Sequence, residues 1–186
     1  MNAINHDLIC STERRPAAAS WFISRTSQYA IQALIYLAIQ PAGMKVSVRD
    51  IAAQLNISAT YLAKIIQSLH KGMFLSSRRG CRGGIYLQEG AETAKLLQIL
   101  AHTERGSLVQ ECLLGLKTCS DETACPMHAA WGPIKQTIID LLQECTLQRL
   151  AEDVRNGRYR LTDLPQAALQ TLPQGSLLCW QTRATE

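Results

Sequence analysis

A chain of 186 residues that is 47% hydrophobic and 18% charged can bury a proper core and is too apolar to be disordered. No uninterrupted apolar run reaches membrane-spanning length, and the leader MNAINHDLICSTERRPAAAS lacks the apolar centre of a secretory signal. These features predict a cytoplasmic protein with no membrane partner, in which seven cysteines point to metal or redox use rather than a disulfide framework.

The net charge of +4 is unevenly spread. Between Trp21 and Gly90, Arg25, Lys45, Arg49, Lys64, Lys71, Arg78, Arg79 and Arg82 face only Asp50 and Glu89, whereas acidic residues outnumber basic ones from Ala91 onward. A solvated basic face is common, so this bias marks a polyanion-binding half only if the motifs agree.

Residues 1–22 read as a flexible extension, with Cys10 a bystander. Order is predicted from Ser24, where Ser24 or Thr26 can cap a helix carrying Ala30, Ala33, Leu34, Leu37 and Ala38 at helical spacing. Pro41-Ala42-Gly43 ends it. Ser47 opens the next helix, with Asp50 three residues on and Ile51, Ala52 and Leu55 as the apolar side. After the turn at Asn56-Ile57, Ser58 is placed to cap a third helix. Leu62, Ile65, Ile66 and Leu69 share its buried face, leaving Thr60, Tyr61, Lys64, Gln67 and Ser68 outside. Two helices across a tight turn, the second with a polar and basic outer face, form a helix-turn-helix pattern.

Gly72 closes that helix, and Phe74–Ser77 and Ile85–Leu87 read as strands joined by the glycine-rich basic turn Arg78-Arg79-Gly80-Cys81-Arg82-Gly83-Gly84. A hairpin with arginines at its tip is a wing, which supplies phosphate affinity independent of sequence. A phosphate-cradling nucleotide loop would lead into a helix, and this turn leads into a strand. Ala91 to Ala101 is predicted as one short amphipathic helix (Ala94, Leu97, Leu100) with His102 at its surface end.

Cys112, Cys119, Cys125 and His128 then follow one another in a polar, Gly-interrupted loop. Thiolate and imidazole suit iron–sulfur clusters, zinc or copper. The cysteine spacings are wider than those of structural zinc knuckles, and a wider loop can wrap a cluster, so an iron–sulfur cluster is favoured over zinc. Beyond the loop, Trp131, Ile134, Ile138, Leu141 and Cys145 recur three and four apart, and Ile139 and Leu142 give the same helix a second apolar face. A partner subunit is the simplest second surface to cover it. Thr146 can cap a terminal helix over Leu147–Asp153, and Val154 to Glu186 shows no clear period. The expected organisation is an extension (1–22), a DNA-binding domain (23–101), a cysteine-rich loop (102–128), a dimerisation and terminal helix region (129–153), and a tail of unassigned role (154–186).

Taken together, these motifs resemble the Rrf2 (Rrf-two) family of bacterial winged-helix regulators. The resemblance rests on Ser24-Arg25-Thr26-Ser27-Gln28-Tyr29-Ala30, Ser58-x-x-Tyr61-Leu62, Arg79-Gly80-x-x-Gly83-Gly84, Cys112…Cys119…Cys125-x-x-His128 and Thr146-Leu147-x-x-Leu150-Ala151. It implies a mainly α fold, a winged helix-turn-helix domain with a small β-hairpin wing followed by a long dimerisation helix. It further implies a homodimer on a palindromic double-stranded DNA operator, contacted through Ser58, Thr60, Tyr61, Lys64, Arg78, Arg79 and Arg82. In the cluster-binding branch the three loop cysteines ligate a [2Fe–2S] or [4Fe–4S] cluster, which carries that role onto Cys112, Cys119 and Cys125. His128 stands where that branch has a histidine ligand, and Gln28 where other members have an acidic one. The dimer interface would be Trp131, Ile134, Ile138, Leu141 and Cys145. A cluster-free regulator using the thiols as a redox switch or zinc site is the alternative. A thiol enzyme with a cysteine nucleophile and histidine base would leave the helix-and-wing surface without purpose, so no catalytic residue is assigned.

Overall fold

The structure, a computed structural model, describes residues 23–80, 83–104, 112–116 and 120–161. It is mostly helical, with six α-helices and one two-stranded antiparallel hairpin among the described residues. Helix α1 (Arg25–Ala38) is the axis of the fold and packs against α3, α4, α6 and the second strand. Ser24 caps it by accepting a hydrogen bond from Ser27 N–H, and Ala30, Ala33, Leu34 and Tyr36 are fully buried along it. The Tyr36 hydroxyl lies inside this core with no hydrogen-bond partner among the described residues, and burial, aided by Asp50, pushes its pKa up to about 12.

Helix α2 (Val48–Gln54) starts at Ser47, whose hydroxyl accepts from Asp50 N–H at 3.1 Å. The following turn is made at Asn56, with φ 53°, a left-handed conformation that Asn tolerates better than most residues. Helix α3 (Ala59–Lys71) then buries Leu62, Ile65, Ile66 and Leu69, each contributing about 1.5–3 kcal/mol of transfer free energy. Ser58 holds the N-cap position, but its side chain makes no capping bond. Gly72 is the C-cap at φ −78°, so left-handed geometry does not explain the glycine. A Cβ there would stand 2.8 Å from Phe74 Cε2 and 2.9 Å from His102 Nε2, so a side chain would force one or both of these rings to shift.

The hairpin pairs β1 (Leu75–Arg78) with β2 (Gly84–Leu87), Leu75 opposite Leu87 and Arg78 opposite Gly84. Phe74 stands just before β1 rather than in it, and packs edge-on against His102. Val46 bridges to Ile85 on the other side, and a Cβ on Gly84 would meet the Val46 carbonyl at 2.8 Å. The hairpin is therefore seated on the strand-like segment ahead of α2.

The single helix expected over Ala91–Ala101 is divided. A 3-10 turn at Ala91–Thr93 is followed by extended backbone at Ala94 and Lys95, and α4 runs Leu96–Thr103. The break has a tertiary cause. Leu147 N–H donates to the Ala94 carbonyl and Leu96 N–H to the Cys145 carbonyl, both at 2.9 Å, so this stretch pairs with the chain between the last two helices. Helix α5 (His128–Glu144) turns Ile139 and Leu142 inward and packs against α4. Helix α6 (Leu147–Arg155), capped by Thr146, returns to α1, where Arg155 Nη2 donates to the Ala38 carbonyl at the helix C-terminus. The core extends to Leu161, so the residues just after Asp153 pack with the domain. No helix among the described residues is long and apolar enough to cross a membrane.

Candidate nucleic-acid interface and cysteine loop

Burial of the Leu62, Ile65, Ile66 and Leu69 face forces the opposite face of α3 outward. Ser58, Thr60, Lys64 and Gln67 are exposed there, as expected for a helix whose polar side meets a partner. Tyr61 is only 38% exposed because it leans back on α1. Its hydroxyl lies 2.8 Å from Thr26 Oγ1, and its ring stands edge-on to Tyr29 with centroids 6.0 Å apart. Thr60 and Lys64 thus project freely, whereas Tyr61 also fixes the helix that carries them.

The hairpin turn presents Arg78 and Arg79 exposed, and Gly83 N–H closes the turn on the Gly80 carbonyl at 2.8 Å. Arg82 lies outside the described residues.

Of the loop cysteines, Cys112 and Cys125 are described and Cys119 is not. Cys112 is buried, and its Sγ lies 3.7 Å from Cys125 Sγ, so two thiols 13 positions apart in sequence are brought to one place. Tetrahedral metal–sulfur bonds of about 2.3 Å put two sulfurs on one metal roughly 3.8 Å apart, so the pair fits a single metal centre. Among the described residues no third His, Cys, Asp or Glu completes a metal-binding group with it. His128, the first residue of α5, donates from Nε2 to Asp121 Oδ1 at 2.9 Å. A carboxylate only accepts, so Nε2 carries a proton in this contact. Asp121 had no part in the sequence expectation. Gln28 donates to the Ile23 carbonyl at 3.3 Å.

On α5, Ile134 and Leu141 are 53% and 59% exposed, while Trp131 and Ile138 are half-buried. Cys145 leaves the helical seam in which it was expected. It is the C-cap residue, with extended ψ of 118°, because its carbonyl is engaged by Leu96. His102, read in the sequence as a surface histidine, contacts the C-terminal end of α3 through the Ser68 carbonyl at 2.7 Å. Only a tertiary fold reveals that pair, 34 positions apart.

The model of the Rrf2 family, described as an iron-dependent transcriptional regulator, matches residues 23–153. The HTH-type transcriptional regulator NsrR of Bacillus licheniformis is 29% identical over 68% of this chain and 89% of its own length. The IscR structure from T. potens superposes with a TM-score of 0.58 at 27% identity, covering 74% of this chain and 91% of that one. CymR of B. subtilis, a global cysteine regulator, has the same fold, with a TM-score of 0.60 at 22% identity over 70% of this chain and 95% of its own. With its helix-turn-helix, basic hairpin and following helices in the order that these relatives share, the chain belongs to the Rrf2 family of transcriptional regulators.

Proposed function

We propose that this regulator binds a palindromic double-stranded operator as a homodimer, acting as a repressor. Its signal, whether iron, cluster status, nitric oxide or an oxidant, would reach it through an iron–sulfur cluster held by Cys112, Cys119, Cys125 and His128. The observation that carries this reading is the 3.7 Å approach of the Cys112 and Cys125 sulfurs in a chain whose other half exposes a basic helix and wing. Two thiolates at that separation suit one iron of a [2Fe–2S] centre, since each iron of a [4Fe–4S] cube takes one protein ligand. The Asp121 hydrogen bond supports His128 as a ligand by orienting the ring from Nε2, as outer partners of metal-bound histidines do.

When bound, the cluster would supply a centre that is lost or oxidised more readily for having one imidazole among its ligands. The protein's part is to read that change. Cys125 lies three residues before the start of α5, so a shift in the loop is passed directly to the helix whose Ile134 and Leu141 await a second surface. Two recognition helices joined through that surface read half-sites at a fixed separation, which a tilt of α5 would alter.

The same sulfur spacing suits zinc, or oxidation of the pair to a disulfide, and this is the second reading. Anaerobic purification separates them. The cluster reading predicts coloured protein with the Mössbauer spectrum of an iron–sulfur centre; colourless protein holding zinc or no metal would rule it out.

A further inference from the structure

Three consecutive residues at the end of α4 grip two neighbouring helices, His102 the end of α3 and Thr103 and Glu104 the start of α1. His102 Nε2 lies 2.7 Å from the Ser68 carbonyl and 3.3 Å from Ser68 Oγ. A carbonyl only accepts, so Nε2–H is the donor, reaching a helical carbonyl already bonded to Gly72 N–H at 3.1 Å. The imidazole also meets Phe74 edge-on, centroids 5.6 Å apart, in the space that Gly72 leaves open. Thr103 Oγ1 donates to the Ile99 carbonyl at 3.0 Å. Its one proton spent, it accepts from Ser27 Oγ at 2.6 Å. Ser27 is fully buried, and among the described residues it is the one buried side chain of polar type. Ser24 Oγ in turn donates to Ser27 Oγ, giving a linear chain of hydroxyls, centred on buried Ser27, that ends on the Ile99 carbonyl. Glu104 Oε1 accepts from Ser24 N–H at 2.7 Å. Helix α1 has no acidic residue in its first turn, so Glu104 supplies from 80 positions away the negative charge that a helix N-terminus favours.

The two ends of the recognition helix are thereby held from one segment. His102 takes its C-terminal end directly. Thr103 and Glu104 take the first turn of α1, from which Thr26 and Tyr29 hold Tyr61 near the N-terminal end. The chain that continues from Glu104 reaches Cys112 eight residues later. We infer that His102, Thr103 and Glu104 are positioning residues for DNA reading: a two-point clamp that sets the angle of α3 and links it to the cysteine loop. The inference rests on the reading of α3 as a DNA-recognition helix. It does not require that the loop hold iron.

The test is a double-mutant cycle on the full-length protein between His102→Phe, which keeps the ring against Phe74 and removes the donor, and Cys112→Ala, which perturbs the loop. The probes are a duplex selected from a random-sequence pool by the wild-type protein and a scrambled duplex of equal length. His102→Phe is expected to reduce the selected-to-scrambled affinity ratio about five- to tenfold while leaving scrambled-duplex affinity within about twofold, because phosphate contacts are untouched. His102→Gln, whose amide reaches the same carbonyl, should restore the ratio. Cys112→Ala should change the ratio in the His102 background and much less in the His102→Phe background. Glu104→Gln, which keeps the accepting oxygen but loses the charge, should fall between wild type and Glu104→Ala, and Glu104→Ala should behave like His102→Phe, a second route if His102→Phe folds poorly. Additive effects, or a Cys112→Ala protein with an unchanged ratio, overturn the link. Iron content of the same samples keeps the two readings apart: non-additivity in iron-free protein upholds the clamp and refutes the cluster.

Discussion

The Tyr61 hydroxyl lies 2.8 Å from Thr26 Oγ1, which ties the start of the recognition helix to the first turn of α1. Tyr61→Phe removes that bond and keeps the edge-on packing with Tyr29. The expected cost is about 0.5–1.5 kcal/mol of stability, with a small loss of operator preference. Thr60→Ala and Lys64→Ala, on the projecting face, should change which duplex is preferred at little cost in melting temperature. Selection of binding sites from a random pool, alongside thermal melts, checks both. A Lys64→Ala protein that selects the wild-type site with undiminished affinity would contradict the placement of α3 on DNA.

Arg78 and Arg79 on the wing should act through phosphates. Removing one phosphate contact lowers the slope of log affinity against log salt by about one unit and weakens all duplexes alike. For Arg79→Ala this is measured by titrating one operator-like and one scrambled duplex at several salt concentrations. A slope and affinity both unchanged would remove the wing from the interface.

The exposed seam of α5 gives a cleaner dimer test than its half-buried members. Leu141 is 59% exposed within one chain, so Leu141→Glu should leave the monomer folded while placing a carboxylate in the proposed subunit interface. An unpaired ionised group buried there costs several kcal/mol. Sedimentation at micromolar concentration is expected to show a folded 20.6 kDa monomer with weakened binding to a palindrome. Wild-type protein that sediments as a monomer yet binds a palindrome tightly would contradict the dimer.

Tyr36 supplies a prediction about stability and pH. Its folded pKa is raised to about 12 from 10.0 by burial and Asp50, so the folded state holds this proton more tightly than the unfolded state. Stability from this group is therefore complete below pH 10 and is lost as the pH rises toward 12. Tyr36→Phe removes both the titration and a buried hydroxyl that has no partner among the described residues, and should raise stability by about 1 kcal/mol at neutral pH. Chemical denaturation of both proteins at pH 8 and pH 11 would show this as a smaller alkaline loss in the variant.

Much of the fold was legible because local signals and burial agree. Ser24, Ser47 and Thr146 cap the helices that their positions foretold, and Leu62, Ile65, Ile66 and Leu69 are buried as their spacing required. Where sequence reading failed, a long-range contact decided the outcome. The Ala91–Ala101 periodicity pointed to one helix, but pairing of Ala94 and Leu96 with Cys145 and Leu147 splits it and also takes Cys145 out of the α5 seam. Gly72 was read as a helix stop, and the Phe74 and His102 rings packed against it give a second reason for the glycine. In the cysteine loop, residue type gave Cys112 and Cys125 as two of four candidate ligands, but nothing local announces that their sulfurs meet or that Asp121 is the partner of His128.

Iron and acid-labile sulfide per chain, measured on anaerobically purified wild type and on single cysteine variants, test the central claim most directly. The account predicts iron and sulfide in equal amounts in wild type, Cys10→Ala and Cys179→Ala. It predicts loss of both in Cys112→Ala, Cys119→Ala and Cys125→Ala, and a weakened, partly occupied centre in His128→Ala. Zinc in place of iron in the wild type, or full iron and sulfide in Cys112→Ala, would contradict it.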